Sequence, residues 1–184
     1  MIAVIDSSSL LSLVRYYLPF DKNSLLFDCI QEKVKANEIV ILDKVYDEIK
    51  YLSKGIVTEK LPFLADKKHH TKTMDILPYP KFYNQLENQF CVTVQKKKLK
   101  SDAEFEMLRN RFLDSADAKL ILYSLSRSKA SDGTELAIVT EESAVNNDSK
   151  LFKKIPLICD MLNIQTMTLP QLLGSYSEID LHIK

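Results

Sequence analysis

The sequence predicts an α/β fold with a mainly parallel sheet. Two patterns carry this reading. Runs of four apolar residues occur without the polar alternation of a half-exposed strand, as in Ile2–Ile5 and Ile39–Leu42, which marks strands buried on both faces. Between such runs lie helix-patterned stretches bounded by capping residues, and strands alternating with helices indicate helices packed on a parallel sheet.

The elements follow in order. Ile2–Ile5 is the first strand, and Ser7, Ser8 and Ser9 supply cap chemistry for a helix over Leu10–Leu18 that stops at Pro19. A second helix covers Ser24–Ala36, and the next buried strand is Ile39–Leu42. Asp43 caps a third helix reaching Ser53 and closed by Gly55. Towards the C-terminus a helix spans Ser115–Ser128, a strand Leu136–Thr140, and a short helix starts at Pro156. A strand follows over Gln165–Thr168, with a last helix after Pro170.

The middle breaks this rhythm. Residues 56–100 hold Pro62, Pro78 and Pro80, several aromatics, and the cluster Lys96, Lys97, Lys98 and Lys100. From Lys44 to Lys100 there are twelve lysines against six acids and no arginine. The whole chain has 25 basic and 25 acidic residues, so the remainder carries the opposite excess. The expectation is one domain over residues 1–184, with 56–100 as a lysine-rich insertion decorating the sheet.

Composition removes several function classes. The balance of 46% hydrophobic and 27% charged residues is that of a globular chain. The three glycines, Gly55, Gly133 and Gly174, are far apart. Phosphate loops and dinucleotide turns need clustered glycines, and the nucleophile elbow needs two flanking its serine. Cys29, Cys91 and Cys159 form no CxxC pair, which suits a reducing cytosol, and His69, His70 and His182 form no HExxH motif. No run approaches the ~18 apolar residues of a membrane span, and Asp6 spoils the first apolar run as a signal peptide. A soluble cytoplasmic protein is expected.

What remains is a set of acids. Ligands of open parallel sheets bind outside the carboxyl ends of strands. Asp6 directly follows the first strand, and Thr140, Glu141 and Glu142 follow the late one. In the third helix Val45, Ile49 and Leu52 share a face, and a turn of about 100° per residue puts Glu48 on its margin and Asp47 opposite. Asp117 lies in the first turn of the helix beginning near Ser115. Each has a plain alternative: Asp6 as a helix cap, Glu48 paired with Lys44, Asp117 answering Asp114, and the glutamates opening a polar loop. Together they would repel one another unless neutralised. Oxygen ligands without Cys or His suit Mg²⁺ or Mn²⁺, which can activate water for phosphoester hydrolysis.

In that order, Ile2 to Ser8, the helix with Glu48, Ser115 to Asp117, and Ile138 to Glu142 resemble the acidic signature of PIN-domain ribonucleases. Lys154 through Pro156 and Cys159 to Ile164 resemble a PIN-like branch found among toxins of toxin–antitoxin pairs. The resemblance spans residues 1–55 and 112–176. It implies a three-layer sandwich, Mg²⁺ or Mn²⁺ in an acidic cleft, and hydrolysis of RNA by water. Asp6, Glu48, Asp117 and Glu142 become the metal and catalytic acids, with Glu141 as substitute for Glu142 and Ser8 and Thr140 in support. The family usually has Asp where Glu142 stands. RNA, an antitoxin and a second copy of the chain are the implied partners.

Lys96, Lys97, Lys98 and Lys100 are candidates for holding an RNA backbone, and Tyr79, Phe82, Tyr83 and Phe90 for stacking bases. A solvated charged face and aromatic packing are the competing readings, and His69 and His70 are expected on the surface or in a loop. Two other functions fit the acids: a phosphatase with Asp6 as nucleophile, and a non-catalytic RNA- or protein-binding module.

Overall fold

Ile2–Ile5 (β1) is the centre of a five-stranded sheet in which every pairing is parallel. A computed structural model describes residues 1–130, 135–145 and 150–177. Ile39–Leu42 (β2) pairs with β1 on one side and Leu136–Val139 (β4) on the other. His70–Thr71 (β3) is the edge beside β2, and Gln165–Met167 (β5) is the edge beside β4, giving the order β3-β2-β1-β4-β5. Helices flank this sheet.

This order has a functional consequence. From β1 the chain moves outward through β2 to β3, then returns to the other side of β1 for β4 and β5. Right-handed crossovers running in opposite directions put their helices on opposite faces of a sheet. Beside the central strand the loops therefore diverge at the carboxyl ends of β1 and β4, the position at which open parallel sheets bind ligands. The register brings Ile5 level with Val139, so Asp6 and Thr140 leave the sheet side by side.

The expected helices form with shifted ends. The first begins earlier than expected, at Ser7 (α1, Ser7–Ser12), and continues through a π turn to Tyr17 and a 3-10 turn to Phe20. Asp6, not the serines, is its N-cap: its backbone is extended and its carboxylate accepts from the Ser7 N–H. Leu25–Lys35 (α2) buries Leu26, Ile30 and Val34 at helical spacing. Asn37, at φ 58°, ends it in the left-handed conformation, and Asn163, at φ 54°, ends Ile155–Leu162 (α9) in the same way. With so few glycines, asparagine closes these helices because its short polar side chain tolerates that region best among the alternatives.

Asp43–Ile49 (α3) is shorter than expected. Ser53, Lys54 and Gly55 all take positive φ, which stops the helix ahead of Ile56–Lys60 (α4). Asp43 is the first residue of α3, and its carboxylate accepts from the Lys44 N–H at 2.8 Å as well as from Thr73 through both oxygens. The C-terminal half adds Asp102–Leu113 (α7), for which no helix was expected, then Ala116–Ala130 (α8), α9, and Leu169–Gly174 (α10). Ser115 is the first residue before α8, with its hydroxyl accepting from the Ala118 N–H.

Residues 56–100 do more than decorate the sheet. They supply edge strand β3, and Val57, Leu61, Leu64, Phe82, Leu86 and Phe90 are fully buried in the same core as β1 and β2. Pro80–Gln85 (α5) and the π turn Leu86–Phe90 carry the last three of these, and the short helix Thr93–Lys96 (α6) follows. Phe82 and Phe90 meet edge to face at 5.8 Å, so neither presents a ring for base stacking. His70, expected on the surface or in a loop, sits in β3 with its Nε2 2.6 Å from the Leu64 carbonyl oxygen and its ring 4.1 Å from Tyr46. Packing of apolar area overrides the proline-rich, irregular look of this stretch. Among the described residues no helix is long and apolar enough to cross a membrane. His182 and Gly133 lie outside the described residues.

Candidate functional site

Acids from four elements come together at the carboxyl end of β1. Asp6, at the end of β1, is 4% exposed, and its carboxylate is surrounded by donors. One oxygen accepts from the Ser7 N–H at 2.6 Å and lies 3.2 Å from the Ser7 hydroxyl oxygen. The other accepts from the Ser8 hydroxyl at 2.6 Å and the Thr140 hydroxyl at 3.1 Å. The expected cap and the expected site residue are thus one carboxylate, because a group at a strand end that opens a helix meets that helix's free N–H groups.

Glu48 reaches the same place from α3. Its carboxylate accepts from the Ser7 hydroxyl at 2.8 Å and from the Ala116 N–H at the start of α8. The expected partner Lys44 is elsewhere, paired with Asp114 at 2.6 Å. Although Glu48 as a residue is exposed, desolvation of its carboxyl group pushes its pKa above the ordinary value. The Ser7 bond opposes that rise and the charge of Asp6 adds to it.

Asp117, in the first turn of α8, is the most perturbed acid of the group. Burial raises its pKa, and the negative charges of Asp6, Glu142 and Glu48 raise it further, to about 7. Among the described residues nothing donates a hydrogen bond to it. Three neighbouring carboxylates make its ionisation costly, and the positive charge of Lys150 offsets this only in part.

Thr140 settles how the two glutamates divide. Its hydroxyl donates to Asp6 and accepts from the Glu142 N–H at 3.2 Å. Glu142 then faces Asp117, with one carboxylate oxygen 3.2 Å from the Ile155 N–H at the start of α9 and the other 3.5 Å from the Lys150 ammonium. Glu141 accepts from the Leu169 N–H at the start of α10 at 2.7 Å. Neighbouring side chains diverge, so each glutamate closes the N-terminus of a different helix. Ser8 accepts from the Glu141 N–H as well as donating to Asp6, which ties the two loops together.

Six expected residues are therefore gathered here: Asp6, Ser8, Glu48, Asp117, Thr140 and Glu142. Ser7 and Lys150 join them. Ser7 bridges Asp6 and Glu48, and its position directly after the strand-end acid was the available signal. Lys150 offered none, since loop residues carry no periodicity. As the side chains stand, no three His, Cys, Asp or Glu among the described residues are arranged to hold a metal ion. The donor chemistry nevertheless suits a hard divalent cation, and the raised pKa of Asp117 marks negative charge in excess of local compensation.

The lysine run is distant in role. Lys96 lies over the Phe105 ring at 4.2 Å, and with Leu99, Lys100, Ser101, Asp102 and Phe105 it lines an open pocket of about 310 Å³ at the start of α7. Lys97, Lys98 and Lys100 are exposed, and none of the four contacts the cleft carboxylates among the described residues. Tyr83 is partly exposed with the Arg109 guanidinium 5.8 Å from its ring, and Tyr79 packs towards Phe82. The buried Cys159 thiol is pushed up to about 12 by desolvation, so it is no nucleophile.

Residues 4–178 match a family described as "Domain of unknown function (DUF4411)". No curated protein and no solved structure matches the chain.

Proposed function

The chain belongs to the DUF4411 family, and we propose that it is a PIN-like ribonuclease that uses Mg²⁺ or Mn²⁺ to hydrolyse RNA phosphodiesters. One observation carries the reading. At the topological switch of a parallel sheet, Asp117 faces Asp6, Glu48 and Glu142, and burial with their charges holds its carboxyl near pKa 7. A divalent cation is the simplest group that relieves such a cluster.

Asp6 and Asp117 would hold the ion, with Glu48 contributing directly or through water, and Glu142 would position a second ion or the attacking water. Bound there, the ion supplies activated water and charge stabilisation at a phosphoryl oxygen. Ser7, Ser8 and Thr140 keep the Asp6 carboxylate in one orientation. Water is the nucleophile, leaving a 5′-phosphate and a 3′-hydroxyl. Attack by Asp6 itself, as a phosphatase would require, is disfavoured because the Ser7 N–H and the Ser8 and Thr140 hydroxyls already donate to its two oxygens.

The lysines at 96, 97, 98 and 100 would extend the RNA path. In the toxin–antitoxin setting implied by the resemblance, a cytoplasmic antitoxin would bind the protein and restrain it, and two copies of the chain would pair. A non-catalytic RNA- or protein-binding module is the second reading. It is favoured by the hydrogen bonds that already engage Asp6, Glu48 and Glu142 and by the lack of a ready three-acid site among the described residues.

The test is digestion of single-stranded and hairpin RNA in Mg²⁺, Mn²⁺ or EDTA, by the wild-type protein and by Asp6→Asn and Asp117→Asn. Metal-dependent cleavage that both substitutions abolish is the expected result. Equal cleavage by all three proteins rejects the site. RNA or protein binding that is indifferent to EDTA and survives Asp6→Asn, without cleavage, favours the binding module.

A further inference from the structure

An acidic cleft repels the polyanion it is meant to receive, so some cation must meet the phosphate. We propose that Lys150 does this: it pairs with Glu142 and, when cations occupy the carboxylates, contacts a phosphate oxygen of a single-stranded RNA backbone. The assignment rests on the nuclease reading for its substrate, while its evidence is the placement of one ammonium group.

That placement separates Lys150 from the other lysines around the cleft. Lys153 is held by the Gln89 carbonyl at 2.7 Å, and Lys154 points to the Ser143 hydroxyl at 3.5 Å. Lys44 is paired with Asp114, and Lys119, 7% exposed, donates to the Ile76 carbonyl. Lys150 instead has a cleft carboxylate as its partner.

The hold on Glu142 is loose. The separation is 3.5 Å, whereas charge-assisted N–H···O bonds are usually about 2.7–2.9 Å. The lysine side chain is 52% exposed, so water screens the pair and keeps the ammonium accessible. Glu142 is also bonded to the Ile155 N–H, so its carboxylate does not depend on the lysine. A cation that takes over the charge of Glu142 releases Lys150 from its ion-pair partner among the described residues. A flexible ammonium then binds a phosphate as a point charge, positioning the backbone without reading its sequence.

The experiment measures binding of a fluorescein-labelled single-stranded RNA by anisotropy, with Ca²⁺ as the divalent ion, over a series of KCl concentrations. Wild type, Lys150→Ala, Lys150→Arg and Lys154→Ala are compared, and cleavage in Mg²⁺ is assayed in parallel. Lys150→Ala is expected to weaken binding about 3- to 10-fold and to flatten the plot of log affinity against log salt by about 0.7, the loss of one phosphate contact. Lys150→Arg should restore both, and Lys154→Ala should leave both near wild type.

Wild-type affinity and salt slope in Lys150→Ala, equal losses in Lys154→Ala, or no RNA binding by the wild type each overturn the assignment. Cleavage that persists while binding ignores Lys150 refutes this inference and leaves the nuclease reading intact. Lys150-dependent binding without cleavage in Mg²⁺ or Mn²⁺ does the reverse.

Discussion

The Thr140 hydroxyl donates to the Asp6 carboxylate at 3.1 Å across the gap between β1 and β4, joining residues 134 positions apart. The same hydroxyl accepts from the Glu142 N–H, so one oxygen orients an acid on each strand. Thr140 is 3% exposed, and water cannot readily replace either bond. Thr140→Val keeps the shape and removes both. It should lower unfolding stability by about 1–3 kcal/mol, the cost of leaving buried polar groups unpaired. Urea denaturation measures this, and Thr140→Ser should recover most of the loss.

Asp117 makes the ion-free protein sensitive to pH. Its folded pKa of about 7 lies above its ordinary value of 3.8. For a raised carboxyl group, the favourable contribution is complete below the ordinary pKa and is lost as pH rises through the folded one. Its contribution to stability should therefore fall between pH 4 and 7. Asp117→Asn removes the charge and should stabilise the ion-free protein by roughly 1–3 kcal/mol near neutral pH. Thermal melts in EDTA across that range test this, and a wild-type-like pH profile in the variant would contradict it.

Divalent cations should act in the opposite sense. An ion that binds the folded state alone adds stability that grows with its concentration over its dissociation constant, roughly 2.7 kcal/mol at a hundredfold excess. Mg²⁺ or Mn²⁺ should raise the melting temperature of the wild type at pH 7.5. The shift should be much smaller in Asp6→Asn and Asp117→Asn, whereas Glu141→Gln should retain it, since Glu141 is engaged at the start of α10.

The middle segment should prove integral to the fold. Phe82 is fully buried against Phe90 and belongs to the core shared with β1 and β2. Phe82→Ala should cost about 3–5 kcal/mol, read by chemical denaturation. Deletion of residues 56–100 should leave no cooperatively folded protein, because edge strand β3 and six fully buried apolar side chains would go with it.

Much of the fold was legible from local signals. The runs at residues 2–5, 39–42 and 136–139 are unbroken by polar residues because both faces of those strands are covered. The two-residue strand β3 and the helix α7 were not foreseen. β3 is too short to show periodicity, and only its pairing with β2 defines it as a strand. Helix ends moved because caps are settled by whichever group reaches the free N–H first, as Asp6 does ahead of the serines.

From the sequence alone came the alternation of strands and helices, the scarcity of glycine that removes phosphate loops, and the acids at the ends of β1 and β4. These depend on neighbours along the chain. Only the tertiary structure decided that Asp6, Glu48, Asp117 and Glu142 come together at the carboxyl end of β1, that Glu141 turns away from them, and that Lys150 joins them. Strand order and the direction of each loop side chain arise from contacts between distant segments. Electrostatic strain between carboxylates exists only once folding has brought their charges together.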